Sequence, residues 1–388
     1  MIRIVADADI PNVSSFLADA GHVRLRPGSE INAEEVENAD VLLVRSVTRV
    51  NSVLLGKSRV RFVGSATAGL DHIDTGYLRD RGIVLRHAPG SNADSVVEYV
   101  LAATFALVAG SGLALSERVA GIVGYGNVGS RVARRLRAAG MRVIVNDPPL
   151  ESSRGAFAPD VEIANLAETV RESDLLTLHV PLEREGEYPT HRLLSDSLLG
   201  QMKPGALLIN TSRGSVIDES ALLSYLRRPD AGPAVLDVWE SEPTPNLELV
   251  AMSRICTPHI AGYSVDAKLA GSRAIARAVR AFLELPSDID QEDQRIINVV
   301  APAPSLPREE WFHELTRQMY DIEEESEDFR QRILESEQPS ETFTQFRRNY
   351  PPRYSFGRYR LTDHDVPTAY RDVYGILGVG VRPPGAQS

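Results

Sequence analysis

Short apolar runs recur from Ile2 to Cys256, and most are followed by a stretch with the spacing of an amphipathic helix. Runs this short and this uniformly apolar are buried on both faces. Joined by helical crossovers, they belong to a largely parallel α/β sheet. Residues 2–5, 41–44, 62–65 and 84–86 read as strands, with helices or helical turns at 11–20, 32–38, 51–55 and 73–81. The alternation restarts near Gly121, with strands expected at 119–123, 143–146, 175–179, 207–210, 234–238 and 254–256. About six strands in βα alternation are what a doubly wound dinucleotide-binding sheet requires.

The apolar stretch 96–115 has the length of a membrane span, but Glu98, Thr104, Gly110, Ser111 and Gly112 fit a buried helix and a turn better. Ser95 and Glu98 have capping-box spacing for its start, and Asn92 is the alternative cap. A long helix is expected over 264–285, ended by Pro286. Asp, Gln and Pro then accumulate over 287–308, as in a linker. The remainder offers a helix near 309–325, an acidic run at 321–328, a basic-aromatic stretch at 346–359, a helix at 369–377 and a frayed tail at 383–388.

Composition narrows the partners. Among 388 residues, 53 are acidic and 42 basic, giving a formal charge of -11. That balance disfavours nucleic acid or an anionic membrane surface as the main partner. Cys256 is the one cysteine, so no intrachain disulfide forms and a reducing, cytoplasmic setting is expected. The 8 histidines are scattered without close Cys/His spacing, so no metal centre is expected. Met1-Ile-Arg-Ile-Val lacks the layout of a signal peptide.

Gly124-Tyr125-Gly126-Asn127-Val128-Gly129 is a G-x-G-x-x-G placed directly after one apolar strand and opening the helix expected at 128–139. Glycines there permit a tight turn, close approach of a pyrophosphate and close helix–strand packing, while the helix N-terminus attracts the anion. The next strand ends in Asp147, eighteen residues beyond Gly129. An acid at that place accepts hydrogen bonds from ribose hydroxyls and repels a 2′-phosphate, which favours NAD over NADP. Asp147 before Pro148 and Pro149 also fits a helix cap.

Arg213, Glu242 and His259 each follow the C-terminal end of an expected strand. In a parallel sheet these ends open on one crevice. An imidazole can take a hydroxyl proton near neutral pH, a carboxylate can fix its tautomer, and a guanidinium can grip a substrate carboxylate. Spacing alone leaves Glu240 and Glu242 open as the acid. It also leaves Arg213 open as a surface ion-pair partner and His259 as a satisfied loop histidine.

The set Gly124–Gly129, Asn210-Thr-Ser-Arg-Gly214, Asp237-Val-Trp-Glu-Ser-Glu-Pro243 and Pro258-His-Ile-Ala-Gly262 resembles the D-isomer-specific 2-hydroxyacid dehydrogenases. The resemblance spans about residues 1–285. It implies a Rossmann-type NAD domain (94–261) inserted in a smaller α/β substrate domain (1–93 and 262–286). It selects Arg213, Glu242 and His259 as catalytic residues and leaves Glu240 as the flanking acid. Thr211, Ser212, Asp237 and Gly262 join Asp147 and the loop Gly124, Tyr125, Gly126, Asn127, Val128 and Gly129 as cofactor residues, with Asp237 at the nicotinamide end.

Within that family, Val44-Arg-Ser-Val-Thr-Arg-Val-Asn51, Ala66-Thr-Ala-Gly69, Ala88-Pro-Gly-Ser-Asn92, Asp147-Pro-Pro149 and His259-Ile-Ala-Gly-Tyr263 are most similar to a subgroup of the vitamin B6 pathway. That subgroup oxidises 4-phospho-D-erythronate at C2. The likeness implies Ser46, Thr67 and Tyr263 as substrate contacts and a C-terminal α+β dimerisation domain (287–388), hence a homodimer. Ser91 and Ser212 stand where cysteine is common. For the substrate phosphate, a basic cluster is expected: Arg45, with Arg347 or Arg348 reaching across the dimer. The alternatives are another D-2-hydroxyacid dehydrogenase, such as one acting on 3-phosphoglycerate, or a non-catalytic NAD-sensing protein.

Overall fold

The computed structural model describes the chain except residues 154, 287–288, 290–294, 363–364 and 383–388. The tail expected at 383–388 and part of the 287–308 linker lie outside the described residues. Two compact units form: Met1–Asp94 with Tyr263–Gln294, and Ser95–Gly262 with Arg295–Ser388.

The first unit carries five parallel strands: β1 (Arg3–Asp7), β2 (His22–Arg26), β3 (Val41–Val44), β4 (Phe62–Ser65) and β5 (Val84–His87). Their order is β2-β1-β3-β4-β5, so the connection reverses between β1 and β3. The helix Val265–Phe282 covers one face, with Ile275, Ala276 and Val279 packed among Ile4, Leu43 and Phe62. Strand β2 escaped the sequence reading because it is an edge strand. His22, Arg24 and Leu25 are exposed, so the run carries no apolar stretch. The long helix stops before the expected 285: Glu284 takes a left-handed conformation (φ 59°), and the residue ahead of Pro286 disfavours the helical region.

The second unit holds seven parallel strands: β6 (Val119–Val123), β7 (Arg142–Asn146), β8 (Glu162–Ile163), β9 (Leu175–Leu178), β10 (Leu207–Asn210), β11 (Ala234–Leu236) and β12 (Ile255–Cys256). Their order, β12-β11-β10-β9-β6-β7-β8, runs outward in both directions from β6 and β9. This is the doubly wound arrangement, and its switch point lies where the first strand meets the fourth. The helix Ala93–Val108 starts earlier than a Ser95 cap would allow, so Ser95 is corrected to a residue inside the first turn. Its hydroxyl donates instead to the Ala261 carbonyl, at 3.0 Å.

The C-terminal residues belong to this same unit. Where one helix was expected over 309–325, two form, Arg308–Met319 and Ile322–Leu334. Tyr320 is extended, and the Asp321 carboxylate accepts from the Glu324 N–H to start the second helix. The acidic run thus begins at a helix cap, and Glu323, Glu324 and Glu325 fall in the first turn, where the macrodipole favours negative charge. Phe329, Ile333 and Phe343 enter one core with Leu249, Val250 and Cys256. Ser326 Oγ accepts from the Cys256 N–H at 2.9 Å, which covers the outer edge of β12. A three-stranded parallel sheet, β13 (Ile297–Asn298), β14 (Tyr359–Thr362) and β15 (Gly380–Arg382), went unread because its strands are short and far apart.

Against the long helix Ala93–Val108 lies a buried polar cluster of Tyr320, Glu325, Tyr350 and Arg353. The Tyr350 hydroxyl donates to Glu325 Oε2 at 3.1 Å, and the Tyr320 hydroxyl lies beside the same carboxyl group. Burial pushes the Glu325 carboxyl up to about 7, against the opposing pull of the tyrosine hydroxyls and the Arg353 charge. A carboxyl whose folded pKa lies above its unfolded value holds its proton more tightly when folded. Its stabilisation is complete below the unfolded pKa and is lost as pH rises through about 7, roughly 3 kcal/mol in all. Glu325→Gln, which cannot titrate, should remove that loss of stability between pH 5 and 8. Parallel melting curves for variant and wild type across this range would contradict the assignment.

Candidate active site

The glycine loop leaves β6 at the sheet's switch point. Gly124 has φ 91°, and a Cβ there would stand 2.7 Å from the His179 carbonyl oxygen. At Gly129, the first residue of the helix Gly129–Ala138, a Cβ would stand 1.9 Å from the Gly124 carbonyl oxygen. The turn can therefore close only on glycine at these two positions. Gly126 differs, because a Cβ there meets nothing within 4 Å. The backbone at Gly126 thus borders open space beside a helix N-terminus, as a bound pyrophosphate requires.

Asp147, at the end of β7, does two structural jobs. Oδ2 accepts from the Tyr125 N–H at 2.7 Å, pinning the glycine loop, and Oδ1 accepts from the Leu150 N–H at 2.9 Å as cap of the helix Pro148–Ser152. The cap reading and the ribose reading are compatible, since each carboxylate oxygen retains a second lone pair. The Tyr125 ring packs on Phe157, with centroids 5.3 Å apart. Asn127 accepts at its carbonyl from Arg131, and Val128 precedes the helix.

The turn after β10 is organised by Asn210. Its Oδ1 accepts from the N–H and the hydroxyl of Ser212, and its Nδ2 donates to the Arg213 carbonyl at 3.0 Å. Arg213 is half-buried, and Nη1 donates to the Ser212 carbonyl at 2.7 Å. Thr211 Oγ1 is buried without a hydrogen-bond partner, a hydroxyl available to a bound cofactor.

Past β11, Asp237 is fully buried. Its carboxylate accepts from Thr257 Oγ1 (2.7 Å), Ile260 N–H (2.7 Å) and Ala261 N–H (3.0 Å). Burial raises its pKa despite the lowering effect of the His259 charge and these bonds. The structure thus places Asp237 beneath the loop that carries His259. That residue is left-handed (φ 59°), and its N–H donates to the Asp237 carbonyl at 2.6 Å. A non-glycine residue in this region is strained by about 1–2 kcal/mol and persists because its neighbours over-determine it. Gly262 closes the loop.

His259 Nδ1 lies 2.8 Å from Glu242 Oε2, and Glu242 Oε1 accepts from the Trp239 N–H at 3.0 Å. Burial alone would raise the Glu242 pKa. The His259 charge and hydrogen bond, the Trp239 N–H and the Arg347 charge outweigh it, and the net direction is down. An ionised Glu242 holds the proton on Nδ1 and leaves Nε2 able to accept another. Glu240, the open alternative, instead faces Arg192 at 3.7 Å. The Arg347 charge acts on Glu242 from within the same chain, whereas Arg348 is exposed.

The other unit holds Arg45, Ser46, Thr67 and Tyr263. Arg45 and Ser46 follow β3, where the sheet order reverses, and Thr67 follows β4. Arg45 Nη1 donates to the Asp9 carbonyl at 3.2 Å, and its guanidinium lies 5.8 Å from the centre of the Tyr263 ring. Thr67 Oγ1 bonds Ser65 Oγ at 2.7 Å, and Ser46 is exposed.

Sequence reasoning passed over the groups that hold this site in place. Asn210 and Trp239 lay inside quoted motifs, and an Asn at a strand end is a recognisable turn former. Tyr99, whose hydroxyl bonds Thr257 Oγ1 at 2.7 Å, and Arg353 gave no local signal. Tyr99 and Thr257 are 158 positions apart, and Arg353 and Ala261 are 92 apart.

Residues 98–261 match the family described as D-isomer specific 2-hydroxyacid dehydrogenase, NAD binding domain. Erythronate-4-phosphate dehydrogenase of Salinibacter ruber is 42% identical over 376 residues, covering 95% of this chain and 96% of the relative. The enzyme of that name from Azotobacter vinelandii is 41% identical, covering 97% and 99%. Among solved structures, D-lactate dehydrogenase from Aquifex aeolicus, complexed with NAD and lactic acid, superposes with a TM-score of 0.62 at 26% identity, over 72% of this chain and 95% of that one. The cofactor is NAD, and the open backbone at Gly126 and the free Thr211 hydroxyl fit it. The chain belongs to the D-isomer-specific 2-hydroxyacid dehydrogenases, and within them to the erythronate-4-phosphate dehydrogenases.

Proposed function

We propose that this enzyme oxidises 4-phospho-D-erythronate at C2 to (R)-3-hydroxy-2-oxo-4-phosphooxybutanoate, a step of pyridoxal 5′-phosphate biosynthesis. The observation that carries the chemistry is the 2.8 Å pair of His259 and Glu242 on the C-terminal rim of a parallel sheet. The names of relatives about 40% identical over nearly the whole chain support the substrate.

Bound NAD supplies the hydride acceptor. His259 Nε2 takes the proton of the C2 hydroxyl, and the Glu242 carboxylate stabilises the imidazolium that results. Arg213 grips the substrate carboxylate and polarises the oxygen as it becomes a carbonyl. Arg45, Ser46, Thr67 and Tyr263 are assigned to the rest of the substrate. Arg45 is assigned to its phosphate, with Arg347 or Arg348 reaching it across the dimer. No helix among the described residues is long and apolar enough to cross a membrane. A cytoplasmic homodimer joined through the C-terminal residues completes the reading.

The test is NADH formation with 4-phosphoerythronate beside 3-phosphoglycerate and D-lactate. The four-carbon phosphate should exceed D-lactate in kcat/KM by about 100-fold, because a site built for a charged group strongly rejects analogues lacking it, and it should also exceed 3-phosphoglycerate, whose phosphate sits one carbon nearer the carboxylate. Faster turnover of 3-phosphoglycerate would reassign the substrate, and NADH binding without any turnover would mark a sensor. In the same assay, Arg347→Gln/Arg348→Gln should raise KM for the phosphorylated acid and leave NAD affinity unchanged. An unaltered KM would remove both arginines from the phosphate site.

A further inference from the structure

Arg353 is a buried cation whose hydrogen-bond acceptors, Ser95 and Ala261, lie far from it in sequence. It is 6% exposed, and its guanidinium is 4.4 Å from the centre of the Tyr320 ring. Nη2 donates to the Ala261 carbonyl at 2.6 Å and to the Ser95 hydroxyl, and it lies 3.4 Å from the Ser95 carbonyl. Nε and Nη1 have no hydrogen-bond partner. Glu325 and Glu98 are the acidic groups that act on this cation, with Tyr320 and Tyr350 beside it. A buried guanidinium satisfied on one nitrogen contributes little to stability, and an apolar side chain of similar volume often serves that purpose as well. What an apolar side chain cannot supply is a donor to the Ala261 carbonyl.

That carbonyl lies two residues beyond His259. The segment 259–261 is held from one side by Asp237, which takes the N–H groups of Ile260 and Ala261 on its carboxylate and that of His259 on its carbonyl. From the other side, Ser95 Oγ and Arg353 Nη2 both donate to the Ala261 carbonyl. The left-handed backbone at His259 needs such a two-sided grip, because an unconstrained histidine relaxes out of that conformation. Ser95 and Ala261 also stand next to the points where the chain enters and leaves this unit. One guanidinium therefore ties both passages to the C-terminal residues.

The geometry points to Arg353 as a positioning residue for His259: by fixing the Ala261 carbonyl, it fixes the backbone that aims the imidazole. This rests on the reading of His259 as the proton acceptor. The hydrogen bonds of Arg353 go to Ser95 and Ala261, so it acts through the loop.

The decisive variant is Arg353→Met, which keeps most of the volume and removes the donors. A misplacement of about 1 Å in a reacting group lowers turnover about 100-fold, so kcat should fall by about 10- to 100-fold. KM for NAD should stay within about twofold of wild type, because the glycine loop is untouched. The acidic limb of the kcat–pH profile should also shift, since the His259–Glu242 contact changes. Arg353→Lys should recover part of kcat, as one ammonium can reach one of the two acceptors. If Arg353→Met does not fold, Ser95→Ala removes the companion donor to Ala261, with about a threefold to tenfold loss of kcat and the same profile shift. A folded Arg353→Met or Ser95→Ala enzyme with unchanged kcat and pH profile would overturn the inference. A fall in kcat with an unmoved profile and no recovery by lysine would overturn it too, since that marks a purely structural role. His259→Asn, assayed in parallel, separates the two ideas. Retained turnover in that variant defeats the reading of His259, whereas an inert His259→Asn beside an unaffected Arg353→Met defeats only the role of Arg353.

Discussion

Replacing His259 by asparagine should lower kcat by about 10²- to 10⁴-fold, the range that general acid–base catalysis contributes. Asparagine is the informative choice because His259 has φ 59°, a region that asparagine tolerates better than most residues. The backbone bonds to Asp237 can then persist while the imidazole is lost. NAD affinity should change little, because Gly124–Gly129, Asp147 and Thr211 are untouched. Glu242 should respond as well. The His259 charge and hydrogen bond hold its pKa down against burial, and their removal should push it up. Steady-state NADH formation gives the first quantity and calorimetric titration of NAD the second. A variant within threefold of the wild-type kcat would show that the proton leaves by another route.

The glycine loop yields the second large effect, and its strength lies in a contrast. Gly129→Ala places a methyl carbon 1.9 Å from the Gly124 carbonyl oxygen, a distance no relaxation of a side chain can relieve, because the obstacle is backbone. The helix start must move. A loss of about 3 kcal/mol in stability, together with loss of NAD binding, is expected from strain of this kind. Gly126→Ala meets nothing within 4 Å, so the protein should fold and melt like the wild type. Its methyl group nevertheless enters the space a pyrophosphate needs, and NAD affinity should fall by at least about tenfold. Thermal melts and NAD titrations on the two variants separate the roles. Equal melting losses, or unimpaired NAD binding in Gly126→Ala, would show that the loop is not read correctly.

Much of this was legible in the amino-acid order, for identifiable reasons. Strands β3, β4, β6 and β10 fall on the expected residues because each is fully or largely apolar and ends at a polar turn. Those strand ends lead directly into Arg45 and Thr67 in the first unit and into Gly124 and Arg213 in the second, each parallel sheet gathering its own loops on one rim. Edge strands were missed where exposure replaced apolar residues, as in β2 and the solvent-facing β8. The helix break at Tyr320 was missed although Asp321 and Glu324 carry the spacing of a cap. Least legible were the supports of the site. Arg353 finds Ser95 across 258 positions, and no local pattern marks a residue whose partners the tertiary fold alone brings near.

The double duty of Asp147 constrains how the coenzyme preference of this enzyme can be re-engineered. One of its oxygens secures the Tyr125 amide and the other starts a short helix, so an acid expected to read a ribose also carries the local fold. A swap toward NADP by deleting this acid would slacken the very turn that has to clasp either coenzyme. Serine or asparagine, which can still cap the helix, makes a better starting point than alanine, and a second substitution would have to re-anchor the tyrosine amide.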